Sequence, residues 1–185
     1  MLHRLALRSV CVVGVLLGSL LAPGADAAEK WGPFRGRIVD VETGEPIPGA
    51  AILVVWYEAV HTLAQTNEKF FDAREAKADV EGRFEISRLS PPFFGFRIFP
   101  PGFTYFAPGY AAHSEIVTPP DGQAFVEPTV VRMRRLKTRQ ELWEKSRARP
   151  GGVPDEKMPG FIRAINVENR MLGLDPIGPR PERQP

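Results

Sequence analysis

Of the three histidines in the chain, only His61 and His113 lie beyond the apolar amino-terminal stretch. A zinc site needs three or four nitrogen, sulfur or carboxylate ligands. Glu58, His61 and His113 are the residues that could supply them. There is no His-Glu-x-x-His, no His-x-x-Glu with a distant histidine and no cysteine pair, so the spacing carries no hydrolytic or metal-ligating signature. Both histidines read as loop or surface residues. Asp79 and Glu81 precede a glycine turn at Gly82, but two acids are far short of the six or more oxygens that calcium takes. No catalytic residue, metal or cofactor is assigned, and the chain reads as non-enzymatic. A small metal-dependent enzyme at His61 and His113 is the least favoured reading.

Trp56, Tyr57, Tyr105 and Tyr110 form a candidate ligand patch for a sugar or peptide. Tyr105 and Tyr110 belong to an unusually aromatic stretch between Phe93 and Tyr110. Aromatics bury large apolar area and usually fill cores. Tyr105 and Tyr110 lie beside turns and are the members expected outside. The basic run Arg132, Arg134, Arg135, Lys137 and Arg139 could meet phosphate, acidic lipid or polysaccharide. Arginines on an outward strand face also keep an edge from aggregating, and a solvated face is the expectation here.

The elements that must hold these residues are mostly strands. Phe34, Gly36 and Ile38 alternate with Arg35 and Arg37, which gives one buried and one wet face. Pro46 and Pro48 remove backbone donors from the link that follows. Ala51 to Tyr57 is almost wholly apolar and reads as a central strand buried on both faces. Glu58 to Phe71 has no clear period and reads as a long loop. Asp79-Val80-Glu81-Gly82 closes a hairpin, with Gly82 at positive φ. Phe84 and Ile86 then point inward. Further strands are expected near Glu115–Thr118 and Val126–Leu136, with a turn at Pro119–Gly122 between them. Thr138 to Glu141 is a capping box opening a short helix. Pro159 starts another. Phe161, Ile162, Ile165 and Leu172 recur there at helical spacing, and Gly173 stops it. That helix is too short to be stable alone. It docks on the sandwich or, as a candidate partner-docking helix, on another protein.

Arg4 and Arg8 precede an apolar run from Val10 to Leu21, and Ala25-Asp26-Ala27 follows. This is the pattern of a secretory signal peptide over residues 1–27, cleaved after Ala27. The run is shorter than the ~20 residues that cross a bilayer, so no transmembrane segment is expected after cleavage. The single cysteine, Cys11, lies inside the signal, and a mature domain without disulfides must be held by its core. Asn67, Asn166 and Asn169 all miss the Asn-x-Ser/Thr pattern. Both absences suit a bacterial periplasmic or extracellular protein. A net charge of +2 names no partner, and nucleic acid is not expected for an exported chain.

Gly36-Arg37-Ile38-Val39-Asp40, Thr43-Gly44-Glu45-Pro46-Ile47-Pro48-Gly49-Ala50, Asp79-Val80-Glu81-Gly82-Arg83-Phe84 and Ala107-Pro108-Gly109-Tyr110-Ala111 together resemble the carboxypeptidase regulatory-like domain. The resemblance spans roughly residues 34 to 136. It implies a mainly β, seven-stranded transthyretin-like (Ig-like) β-sandwich over residues 31–137. A helical, proline-rich extension follows over 138–185. The family is an accessory module without catalytic residues, so its motifs speak to fold rather than function. Two enzymes on related sandwiches are excluded by what is missing. The close histidine pair of the intradiol dioxygenases is absent, and so is the Tyr-Arg-Gly-Ser ending of the hydroxyisourate hydrolases. The resemblance implies a structural or protein-interaction role at the bacterial envelope, with another envelope protein as partner. The alternative is a carbohydrate-binding module that meets a glycan through the aromatic patch.

Overall fold

The computed structural model describes residues 30–61, 66–93, 97–116, 129–145 and 149–178. The expected signal peptide over 1–27, the expected turn at Pro119–Gly122 and the end of the proline-rich tail lie outside the described residues.

The protein is mainly β. In chain order the described strands are β1 (Phe34–Asp40), β2 (Ala51–His61), β3 (Thr66–Lys77), β4 (Arg83–Ile86), β5 (Gly102–Phe106), β6 (His113–Ile116) and β7 (Thr129–Met133). Helix α1 (Arg139–Lys145), a 3-10 turn (Asp155–Lys157) and helix α2 (Pro159–Leu172) follow. One sheet has the order β4-β1-β7 and the other β3-β2-β5-β6. The β1–β7 pair is parallel and the rest are antiparallel.

The two sheets enclose one core. Phe34, Ile38, Phe84, Ile86, Val131 and Met133 meet Ile52, Val54, Trp56, Phe103 and Tyr105. Each set follows the period-2 alternation of its strand. The odd-numbered residues of β2 point the other way. Ala51, Leu53 and Val55 pack with Phe106, Val153, Met158, Phe161 and Ile162 in a second cluster. A strand apolar on both faces needs cover on both, and the tail supplies the second cover. Residues 149–178 therefore complete the core, and the tail is no loose appendage.

Turn chemistry closes the links. Asp40 Oδ1 accepts the amides of Glu42 at 2.8 Å and Thr43 at 3.2 Å, an Asx-turn that ends β1. Gly82 has φ +74°, and a Cβ there would sit 2.5 Å from the Ile38 carbonyl oxygen. Only glycine fits this turn, as its sequence position suggests.

The expected loop over Glu58–Phe71 is a correction. β2 runs on to His61 and β3 begins at Thr66, paired from His61↔Thr66 down to Ala51↔Lys77. A register shift between Trp56 and Tyr57 interrupts the alternation that would have marked a strand. Thr66 to Lys69 are all exposed, so β3 offers no buried side here, and the paired stretch of β2 buries only Ala59. Half of the capping box forms as expected, the Glu141 amide donating to Thr138 Oγ1 at 3.1 Å, while the Glu141 carboxylate accepts the amide of Lys137, one position before the cap, at 2.8 Å. Gly173 ends α2 at φ 72°.

Candidate functional site

The aromatic patch expected from sequence is not on the surface. Trp56, Tyr105 and Tyr110 are 0%, 1% and 8% exposed. The Trp56 indole N–H donates to the Lys30 carbonyl at 2.7 Å, and its ring packs on Phe34 at 6.1 Å. Tyr105 stacks on Phe103 and His113, each at 6.0 Å. Tyr57 is half-buried and faces the tail cluster, with its hydroxyl 3.4 Å from the Gly151 carbonyl. Adjacent positions on a strand point to opposite faces, so Trp56 and Tyr57 could not share a platform.

The histidines do not converge. His61 and His113 are both exposed, and His61 Nδ1 lies 3.0 Å from Thr66 Oγ1. Ile52, Tyr105 and His113 occupy one register row. His61 lies much further along β2, about 30 Å away at ~3.3 Å per residue. Among the described residues no group of three or more His, Cys, Asp or Glu side chains could hold a metal.

Tyr110 instead joins a polar cluster at the end of β1. Its hydroxyl donates to Asp40 Oδ2 at 3.2 Å and accepts from Arg135 Nη2 at 2.8 Å. The Arg135 guanidinium also lies over the Tyr110 ring at 5.2 Å. The Glu42 amide holds the Asp40 carboxyl below its ordinary value, opposed by desolvation and aided by Thr43, Tyr110 and Arg135. With Asp40 Oδ1 spent on the turn amides, the cluster ties β1 to the 107–110 turn and to the chain after β7.

The candidate partner-docking helix is likewise occupied. Phe161, Ile162 and Leu172 are buried and Ile165 is half-buried. Phe161, Ile162 and Ile165 belong to the second cluster. Docking is intramolecular because β2 offers the apolar face these side chains need. Three acids fix it. Glu75 accepts the Gly160 amide at 2.9 Å and the Phe161 amide at 3.0 Å, which caps α2 at its positive end. Asp72 accepts the Lys157 ammonium at 2.8 Å. Glu168 is 3% exposed and accepts the Gly109 amide at 2.9 Å.

Sequence reasoning missed all three acids. Glu168 alone left a signal: it falls on the apolar stripe with Phe161, Ile165 and Leu172, where a charge needs a buried partner. Asp72 and Glu75 bind residues more than eighty positions away, and no local pattern marks them.

The basic run divides between pairing and exposure. Arg134 bonds Glu141 at 3.0 Å, Lys137 bonds Glu42 at 2.9 Å, and Arg139 donates to the Leu172 carbonyl at 2.6 Å. Arg132 is exposed between buried Val131 and Met133. A hollow of about 470 Å³ lies between α2 and the end of β3, with Glu75, Lys77, Arg163 and Val167 in its wall. Among the described residues no helix is long and apolar enough to cross a membrane. No family model, curated protein or solved structure matches the chain.

Proposed function

We propose that the chain is a non-catalytic module of the carboxypeptidase regulatory-like, transthyretin-like type. It is exported to the bacterial periplasm or beyond and works by holding or contacting another envelope protein. One observation carries this reading. The residues that give the sequence its character serve the fold: Asp40 and Gly82 shape turns, Trp56 and Tyr105 fill the core, and Tyr110 ties three segments together. The two-sheet arrangement supports the sandwich assignment. The composition of the amino-terminal stretch supports export. The carbohydrate alternative loses its support with the burial of Trp56, Tyr105 and Tyr110.

One surface open to a partner is the outer edge of β3. It is the last strand of its sheet, with Asn67, Glu68 and Lys69 exposed. Charged edges resist indiscriminate pairing and admit a matched strand. The test is in-cell photocrosslinking from Glu68 in the native host, combined with fractionation and sequencing of the mature amino terminus. The expected result is one discrete crosslinked species in the envelope fraction and a chain starting at Ala28. A cytoplasmic chain with an intact amino terminus overturns export. A chain crosslinked to nothing overturns the interaction role.

A further inference from the structure

We propose that a hollow beside the β1–β4 pair, walled also by Lys77 at the end of β3, is an oxyanion site built by Arg37, Arg83 and Lys77. This inference stands apart from the module reading, since it needs neither export nor a protein partner.

The register of β1 and β4 sets Arg37 directly opposite Arg83. Side chains so placed start about 5 Å apart at their Cβ atoms, and like charges there destabilise the pair. The neighbouring row shows the usual remedy. Arg35 faces Glu85 and bonds it at 3.0 Å. The Arg37–Arg83 row has no such acid.

Arg37 donates only its Nε, to the Glu81 carbonyl at 2.9 Å. That bond anchors the guanidinium beside the hairpin and leaves both terminal amino groups for a ligand. Among the described residues neither the Arg83 guanidinium nor the Lys77 ammonium has an ion pair. Asp79 is near, but its Oδ1 already accepts the amides of Glu81 at 3.0 Å and Arg83 at 2.7 Å. The three cations, with Arg35, Asp79 and Glu85, line one hollow of about 450 Å³. Cations outnumber acids there by two.

Two guanidinium forks and one ammonium around a wet hollow match a tetrahedral, doubly charged oxyanion. Each arginine offers parallel N–H groups to a pair of oxygens, and lysine adds a point charge. Phosphate is the chemistry that fits. It could arrive as a free phosphate or as a phosphomonoester headgroup on a lipid surface.

The experiment titrates the full chain with inorganic phosphate, with ionic strength held constant by chloride and amide shifts followed by NMR. A second arm measures binding to phosphatidylcholine vesicles with and without phosphatidic acid. Wild type is compared with R83Q and K77Q, and with R132Q as an equal charge change on β7 outside the hollow. The expected result is saturable shifts around Arg37 and Arg83, weakened about fivefold in R83Q and K77Q and unchanged in R132Q. Binding only to the phosphatidic-acid vesicles, with the same dependence on Arg83, supports the site with a lipid headgroup as its source. The proposal is overturned if neither arm binds, or if R132Q loses as much as R83Q. Circular dichroism of each variant confirms that it folds.

Discussion

Glu75 on β3 closes the amino end of α2 through the Phe161 amide at 3.0 Å, across eighty-six positions of sequence. The other carboxylate oxygen takes the Gly160 amide. One side chain therefore satisfies two of the amides that this helix start leaves open, Pro159 at the first position having no N–H to satisfy. It also fixes where the helix lands on the sheet. Glu75→Ala is expected to cost about 1–2 kcal/mol, the scale of a lost amino-terminal cap. Urea unfolding measures the loss, and hydrogen exchange should rise first in the opening turn of α2. An unchanged midpoint with unchanged exchange would remove the cap from the stability of the fold.

The tail should not be separable from the sandwich. Phe161 is fully buried between β2 and β5 residues, with its ring 5.7 Å from Phe106. Phe161→Ala is expected to cost roughly 3–5 kcal/mol. A chain ending at Lys137 leaves Leu53, Val55 and Phe106 uncovered and is expected to aggregate. Calorimetry of the whole chain should show one transition. Two resolved transitions, or a monomeric truncated chain of full stability, would show that the sandwich stands alone.

Much of this was legible in local pattern, and the reason for each miss is physical. The alternation at Phe34–Ile38 and Phe84–Ile86 reports a half-buried strand. Thr138 with Glu141, and Gly173, report helix ends. These signals are local because the groups they satisfy are local. The run Ala51–Tyr57, read as buried on both faces, is buried from Ala51 to Trp56, and Tyr57 is half-buried. It also implied a second covering layer, and Phe161, Ile162 and Ile165 were the unpartnered apolar set able to supply it. The Tyr105 and Tyr110 positions misled because nearness to a turn in sequence does not set the face a side chain takes. The hairpin end beyond Tyr57 was illegible because a ladder of backbone bonds has no composition of its own. The Arg37–Arg83 opposition needs the register, which no single strand's sequence contains.

Acid should loosen the fold at two named carboxylates. At Asp72, burial alone would raise the carboxyl, but the Lys157 hydrogen bond, the Ala73 amide and Arg74 outweigh it and hold the group below 3.8. Asp40 is held below the same value, chiefly by the Glu42 amide. A carboxyl that ionises more readily folded than unfolded stabilises the fold fully above its unfolded pKa. That contribution is lost as pH falls through the folded value. Stability should therefore be level from about pH 7 to 5 and decline below about pH 4. Asp72→Asn should lower stability at pH 7 and flatten the decline. Urea midpoints across that range are the measurement, and an equal acid slope in wild type and variant would remove Asp72 as a cause.

Two turn glycines alike in sequence differ in the space around them. Gly44 and Gly82 both sit in turns at positive φ, 72° and 74°. A Cβ on Gly44 meets nothing within 4 Å, whereas one on Gly82 would lie 2.5 Å from the Ile38 carbonyl oxygen and 3.1 Å from Pro46 Cβ. Gly44→Ala should cost only the left-handed backbone term, about 1 kcal/mol. Gly82→Ala carries that term and must also push β1 away from the hairpin. That shift would disturb the bond from the Ile38 amide to the Gly82 carbonyl at 2.8 Å. A combined loss of roughly 2–4 kcal/mol is expected. Gly44→Asn should recover most of the Gly44→Ala loss, because asparagine tolerates this backbone region. Gly82→Asn should recover none, because the obstacle there is space. Equal losses at the two positions would mean that the hairpin can move off β1 without cost, and the close approach would then set nothing.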